Sequence, residues 1–181
     1  MPSHKIIPES TEEKKLLIYC ISITGIILIA DQITKAVIEK YLDQTIVVIS
    51  GLFSLVKVGN PGAAWGMFAG QRWLLLSISI LFSLAVIFFF RSLTEGWRER
   101  YYASALVLGG ILGNSIDRVW RGGFVVDFLD FYVGKHHWPA FNVADSAICI
   151  GVGIFIISSW KRPEKKKSND KSQDSVDASA Q

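Results

Sequence analysis

The stretch Gly109–Asp145, GGILGNSIDRVWRGGFVVDFLDFYVGKHHWPAFNVAD, decides how this chain is read. It carries Asp117, Asp127, Asp130 and Asp145, with Asn114, Arg118 and Asn142 among them. An apolar run, Tyr101–Leu108, leads into it, and another, Ser146–Trp160, leads out. Ionisable groups in or beside a membrane span are costly to keep, so their default meaning is a functional site. Taken singly, each has a plainer use; Asn142 ahead of an apolar run is a good helix cap. Seven such residues within one stretch point to a site rather than to seven caps.

Outward from that stretch, apolar runs recur. Trp73–Phe90 is 18 residues without a charge. Leu16–Ala30 is an uncharged run of 15, and its pattern continues through Asp31 to about Ile38. A helix needs about 20 residues to cross the hydrocarbon, so this span takes in Asp31 and Lys35. These two are four apart, share a helix face and can pair; the plain reading is that pairing at an interface, with Lys35 snorkelling. With Tyr101–Ile116 and Phe141–Trp160 the chain has four candidate spans. Gly109, Gly110 and Gly113 in the third would let a partner helix pack closely. The first run ends in DQITK without a small-residue cleavage site, which reads as a retained span rather than a removed leader.

Between the first two spans, Thr45–Ile49 and Phe53–Val58 are β-branched and aromatic runs separated by Ser50-Gly51, a hairpin signal. NPGAAWG (Asn60–Gly66) follows; Asn-Pro-Gly is a turn, and its small residues would allow close backbone approach. Trp120–Trp138 reads as a loop. The fold expected is membrane α-helical: four transmembrane helices with a small extracytoplasmic β-sheet or hairpin. One membrane domain, 16–160, would hold the β segment at about 41–72. A cytoplasmic lead, 1–15, precedes it, and a disordered tail, 161–181, rich in Lys, Ser and Asp, follows.

Half of the 181 residues are hydrophobic, and six Trp and eleven Phe suit membrane-interface aromatics. The net charge of +3 is small, and no basic stripe interleaves with stacking aromatics, so nucleic acid is not a partner. Cys20 and Cys149 lie inside apolar runs and read as small buried side chains. Four spans put both termini on one side. That side, with the Arg91–Arg100 loop, would hold 12 of the 19 Lys and Arg, and the other 7. The positive-inside rule then makes the termini cytoplasmic. Asp31, Asn60, Asp117, Asp127, Asp130 and Asp145 all fall at one level, the outer leaflet. A proton or ion pathway should leave polar groups at several depths, so a transporter fits less well than a site at one face. A non-enzymatic assembly factor, with polar groups locking helix packing, is the other alternative.

The histidines are few. His136 and His137 are adjacent and have no Cys or HExxH partner, which is poor metal-site spacing. No metal or cofactor is expected. What remains is carboxylate chemistry. Two close carboxylates share a proton, giving one base and one acid at the same pH, the arrangement of aspartic proteases. The residues themselves leave open whether Asp127, Asp117 or Asp130 partners Asp145.

Five stretches in order carry a resemblance: DQITK (Asp31–Lys35), NPGAAWG (Asn60–Gly66), GNSIDR (Asn114, Asp117, Arg118), VVDF (Asp127) and FNVAD (Asn142, Asp145). The chain resembles the lipoprotein signal peptidases, the type II signal peptidases of bacteria. Trp65 stands where that family more often has Phe. The resemblance implies an aspartyl endopeptidase of the bacterial inner membrane, with its site at the outer leaflet. It would remove signal peptides from diacylglyceryl-modified prolipoproteins, cutting before the lipid-bearing cysteine. Asp127 and Asp145 match the catalytic pair. Asp31, Lys35, Asn60, Asn114, Arg118 and Asn142 match supporting or substrate-lining residues. Asp117 matches a carboxylate expected to be structural, tied to Arg118 or Asn114. Membrane lipid and globomycin-like cyclic peptide inhibitors are the further implied partners, and a monomer is expected.

Overall fold

The structure, a computed structural model, describes residues 11–161. The expectations for most of the lead and tail lie outside the described residues. The first helix, α1 (Thr11–Tyr41), has 31 residues and runs unbroken through Asp31 and Lys35. At 1.5 Å per residue it is about 46 Å long, more than the roughly 30 Å of a bilayer's hydrocarbon. Next come strands β1 (Ile46–Ile49) and β2 (Phe53–Asn60), then helix α2 (Arg72–Phe88). The chain breaks at Phe89 into a five-residue helix, α3 (Phe90–Thr94). Then follow α4 (Arg98–Trp120), β3 (Val125–Val133), β4 (His136–His137) and α5 (Val143–Lys161).

Helix α4 is the centre of the helical part, packed against α1, α2 and α5. Glycines on α4 and α5 make their approach close. A methyl group on Gly110 would collide with the backbone oxygen of Ala144 on α5, and one on Gly151 would come within 2.7 Å of the oxygen of Ala103. Polarity is distributed inside out. Asp31, Lys35, Asp117 and Asn142 have no exposure at all, whereas Ile18, Ile26, Leu81, Phe88 and Ile156 are more than half exposed. An apolar exterior around buried charges is the pattern of a protein whose solvent is lipid. Among the described residues α1 and α5 are each long and apolar enough to cross a membrane, and α2 is apolar but shorter, at 17 residues.

The four strands form one antiparallel sheet in the order β1-β2-β3-β4. The hairpin expected near 41–72 is therefore half of a larger sheet. The reading of Trp120–Trp138 as a loop is corrected: α4 continues through Trp120, and β3 and β4 occupy most of the rest. Val125, Val126 and Phe128 are buried in β3, the last two with Ile38 and Leu42 at the end of α1. The sheet thus sits on the helices at the level of Asp31, Lys35 and Asp117.

Candidate active site

Asp145 stands in the first turn of α5, and the residue before that helix is Asn142. The two cap each other. The Asp145 backbone N–H donates to Asn142 Oδ1 (3.0 Å), and the Asn142 backbone N–H donates to Asp145 Oδ2 (3.2 Å). That is a capping box, which satisfies N–H groups a helix start otherwise leaves unpaired. A third, that of Ala144, donates to Asp31 Oδ1 of α1 (2.9 Å).

Asn142 uses the rest of its side chain to reach the sheet. Its Nδ2 lies 2.7 Å from Oδ1 of Asp127 in β3. The other oxygen of Asp127 accepts from Nδ2 of Asn60, at the end of β2 (3.0 Å). Asn142 Nδ2 also reaches Asn114 Oδ1 on α4 (3.2 Å), and Asn114 Nδ2 donates to Asp145 Oδ1 (2.7 Å). Asp127 and Asp145 are therefore linked by Asn142 and by Asn114. Asp127 is 2% exposed. Burial first, and the charge of Asp145 second, push its carboxyl up to about 7, against the opposing hydrogen bonds from Asn60 and Asn142. Near neutral pH such a group holds its proton about half the time.

Beneath the pair lies a buried ionic cluster. Lys35 Nζ contacts Asp31 Oδ2 (2.8 Å), Asp117 Oδ2 (2.9 Å) and Asn114 Oδ1 (3.0 Å). The Asp31–Lys35 pairing is present, but Lys35 is wholly enclosed rather than snorkelling. Asp117 also binds Arg121 Nη1 (2.6 Å), Gln32 Nε2 (2.8 Å) and the Val126 backbone N–H (3.2 Å). Its side-chain partners are thus Lys35, Arg121 and Gln32, not the Arg118 or Asn114 expected. Gln32 and Arg121 were not singled out in the sequence. Arg121 follows Asp117 by four residues on α4, and that spacing alone could have found it.

Arg118 leans the other way. Its Nη2 donates to the carbonyl of Gly62 (2.8 Å) and its Nη1 to that of Asn114 (3.3 Å), within electrostatic reach of Asp145, Asp117 and Asp127. Gly62 allows this because any Cβ there would come within 2.6 Å of the Met67 oxygen. The NPGAAWG turn thus does bring backbone close, and Trp65 and Phe68 within its loop adopt left-handed φ of 55° and 58°. Asp130 stands apart. Three residues from Asp127, it belongs to the other face of the strand, and its carboxylate binds Nδ1 of His137 (2.9 and 3.0 Å). Among the described residues no group of three or more His, Cys, Asp or Glu could hold a metal ion.

Two carboxylates on different elements, tied by shared amides above a buried lysine, invite comparison with peptidases. The sequence profile of signal peptidase II matches residues 23–161. The chain belongs to the signal peptidase II family. It is thus a peptidase, of the aspartic type. The lipoprotein signal peptidase of Desulforapulum autotrophicum is 43% identical over 141 residues, 74% of this chain and 86% of that protein. Those of Geobacter metallireducens and Bacillus subtilis are 39% and 36% identical, covering 82% and 84% of this chain and 93% and 98% of theirs. A solved structure described as a bacterial membrane enzyme superposes with a TM-score of 0.75 at 34% identity, over 84% of this chain and 93% of its own. The family's fold is accordingly that of a membrane enzyme, helical with a small antiparallel sheet.

Proposed function

We propose that this chain removes the signal peptide from diacylglyceryl-modified prolipoproteins, cutting before the lipid-bearing cysteine, with Asp127 and Asp145 as the catalytic pair. The observation that carries the reading is the mutual amide linkage. Asn142 and Asn114 hold two carboxyls from β3 and α5 in one site, and no third carboxyl shares those amides among the described residues. Asp117 is committed to Lys35 and Arg121, and Asp130 to His137.

One carboxylate accepts a proton from water as the water oxygen bonds to the scissile carbonyl carbon. The other, protonated, gives its proton to the departing amide nitrogen as the C–N bond breaks. The pair ends with one proton between them, as it began. Asp127, with its carboxyl at about 7, is suited to carry a proton in such an exchange. Arg118, gripping the Gly62 carbonyl, holds the loop that brings Asn60 to Asp127. Asp31, Lys35 and Asp117 support the site from below.

The proposed setting is the bacterial inner membrane, crossed four times: by α1, by α2 with α3, by α4 and by α5. The termini are cytoplasmic and the carboxylates lie at the outer leaflet. The 12 to 7 division of Lys and Arg supports that orientation, as does the apolar exterior of the helices. The enzyme is proposed to work as a monomer and to be blocked by globomycin-like cyclic peptides.

Purified protein in detergent, given a diacylglyceryl-modified precursor peptide, should release the signal segment and leave the modified cysteine at the new N-terminus, read by mass. Asp127→Asn and Asp145→Asn should each lower kcat by at least roughly 10³-fold, and the double variant little further, because residues acting as a unit are not additive. Asp130→Asn should stay near wild type. Wild-type cleavage by folded Asp127→Asn with an inactive, folded Asp117→Asn would move the pair to Asp117 and Asp145.

A further inference from the structure

Three asparagine amides surround the two carboxylates, and each is held one way round. An amide has an accepting end and a donating end. Asn60 Oδ1 accepts from the Gly62 backbone N–H (2.9 Å), Asn142 Oδ1 from the Asp145 backbone N–H (3.0 Å), and Asn114 Oδ1 from Lys35 Nζ (3.0 Å). Backbone N–H and ammonium groups only donate. Each NH2 is thereby turned onto a carboxylate: Asn60 and Asn142 onto Asp127, Asn114 onto Asp145. Asn60 and Asn142 are fixed by near neighbours in the chain. Asn114 on α4 is fixed by a side chain of α1 that has no exposure, at the shorter distance, with Asn142 Nδ2 on the same oxygen at 3.2 Å.

An ammonium has three N–H donors, and Lys35 spends them on Asp31, Asp117 and Asn114. Charge is already balanced without the last, since Asp31 and Asp117 face Lys35 and Arg121. The bond to Asn114 neutralises nothing. What it does is choose an orientation. Were the amide reversed, its NH2 would meet the ammonium and its oxygen would meet the Asp145 carboxylate. The first is a buried mismatch and the second a partly buried one, and each forfeits a hydrogen bond.

We infer that Lys35 is a positioning residue for hydrolysis, acting through Asn114. By holding the Asn114 oxygen it aims the amide NH2 at Asp145 Oδ1. With the Asn142 backbone N–H on Oδ2, Asp145 then accepts on both oxygens, and both bonds favour the carboxylate that takes a proton from water. This inference rests on Asp127 and Asp145 being the catalytic pair.

The test reverses the polarity of the amide. Asn114→Asp keeps an acceptor for Lys35 and removes the donor to Asp145. Its kcat should fall by about 100-fold, the low end of what acid–base catalysis contributes, with KM unchanged for the folded protein. Asp31→Asn with Lys35→Met then removes the ammonium together with its charge partner. Added to Asn114→Asp, these changes leave the new carboxyl without the ammonium that faced it. It takes up a proton, and its O–H can again donate to Asp145. The triple variant should therefore turn over about tenfold faster than Asn114→Asp alone, since burial without that ammonium favours the neutral acid. A purely structural lysine predicts the opposite order. Wild-type kcat in Asn114→Asp, or a triple variant no faster than it, would overturn the inference.

If Asn114→Asp does not fold, Asp31→Asn/Lys35→Met is read alone. Loss of kcat at constant KM supports positioning, and unchanged kcat overturns it. Asp127→Asn and Asp145→Asn are assayed in parallel. Cleavage by either removes the assignment of the pair, whereas their inactivity beside a fast Asn114→Asp removes only the role given to Lys35.

Discussion

Asp127 shows at the scale of one residue what a site demands of a fold. Its carboxyl lies at about 7, raised by burial and then by Asp145, from about 3.9 in an unfolded chain. Between those values the folded protein binds the extra proton, so stability falls as pH rises through that window, and the loss is complete above about 7. Asparagine carries no such charge. Asp127→Asn should accordingly melt higher than wild type at pH 8, by several degrees at roughly 2–4 °C per kcal/mol for a chain of this size. The advantage should fade toward pH 4, where both forms are neutral. Differential scanning fluorimetry in detergent across that range checks it, and an advantage larger at pH 4 than at pH 8 would contradict it. The gain in stability with the expected loss of turnover is the mark of a group kept for chemistry.

At the scale of elements, the site depends on how closely α5 approaches α4. Gly110 faces the backbone oxygen of Ala144, one residue before Asp145. A methyl there meets backbone, which cannot turn aside. Gly110→Ala should therefore push the start of α5 outward and cost about 1–3 kcal/mol, the usual range for overpacking. Because Asp145 moves with that turn, kcat should fall further than stability alone explains, by up to about 10²-fold. Melting temperature and single-turnover rates on the folded fraction measure the two effects separately. The glycines of α4 were legible in the sequence as a packing face, and so were Asn60, Asn114, Asn142 and the four carboxylates of the central stretch. Strand β3 was not. VVDFLDFYV is rich in β-branched and aromatic residues, but aspartates three apart break the period of two, and Gly122-Gly123 and Gly134 bracket it like a loop. The sheet accepts both acids because Asp127 finds Asn60 and Asn142 while Asp130 finds His137. Asn60, 67 residues from Asp127, leaves no local pattern. Lys35 was visible as a helix neighbour of Asp31, but its hold on Asn114 spans 79 residues and only the fold reveals it.

For the whole molecule, the arrangement is a membrane enzyme with its polar groups gathered at one end. Asp31, Lys35, Asn114, Asp117 and Asp145 belong to three helices and meet beneath one sheet. At the other end of the helices, Arg100 binds Glu95 and Ser158, Ser158 donates to Glu99, and Arg98 binds Glu12, a rim of ion pairs and hydrogen bonds. A hydrolase needs water on the side of its carboxylates, and a substrate exported across the membrane presents its cleavage site on the outer side. The charge division supports the same proposed orientation, with the Arg98 end in the cytoplasm. Orientation is then testable with two labels. In a background with Cys20→Ala and Cys149→Ala, Lys57→Cys lies on exposed β2 and Arg98→Cys on the exposed start of α4. A membrane-impermeant maleimide added to intact spheroplasts should modify the first and spare the second, and permeabilised cells should label both. Labelling of position 98 from outside, with position 57 protected, would invert the molecule and put its carboxylates in the cytoplasm.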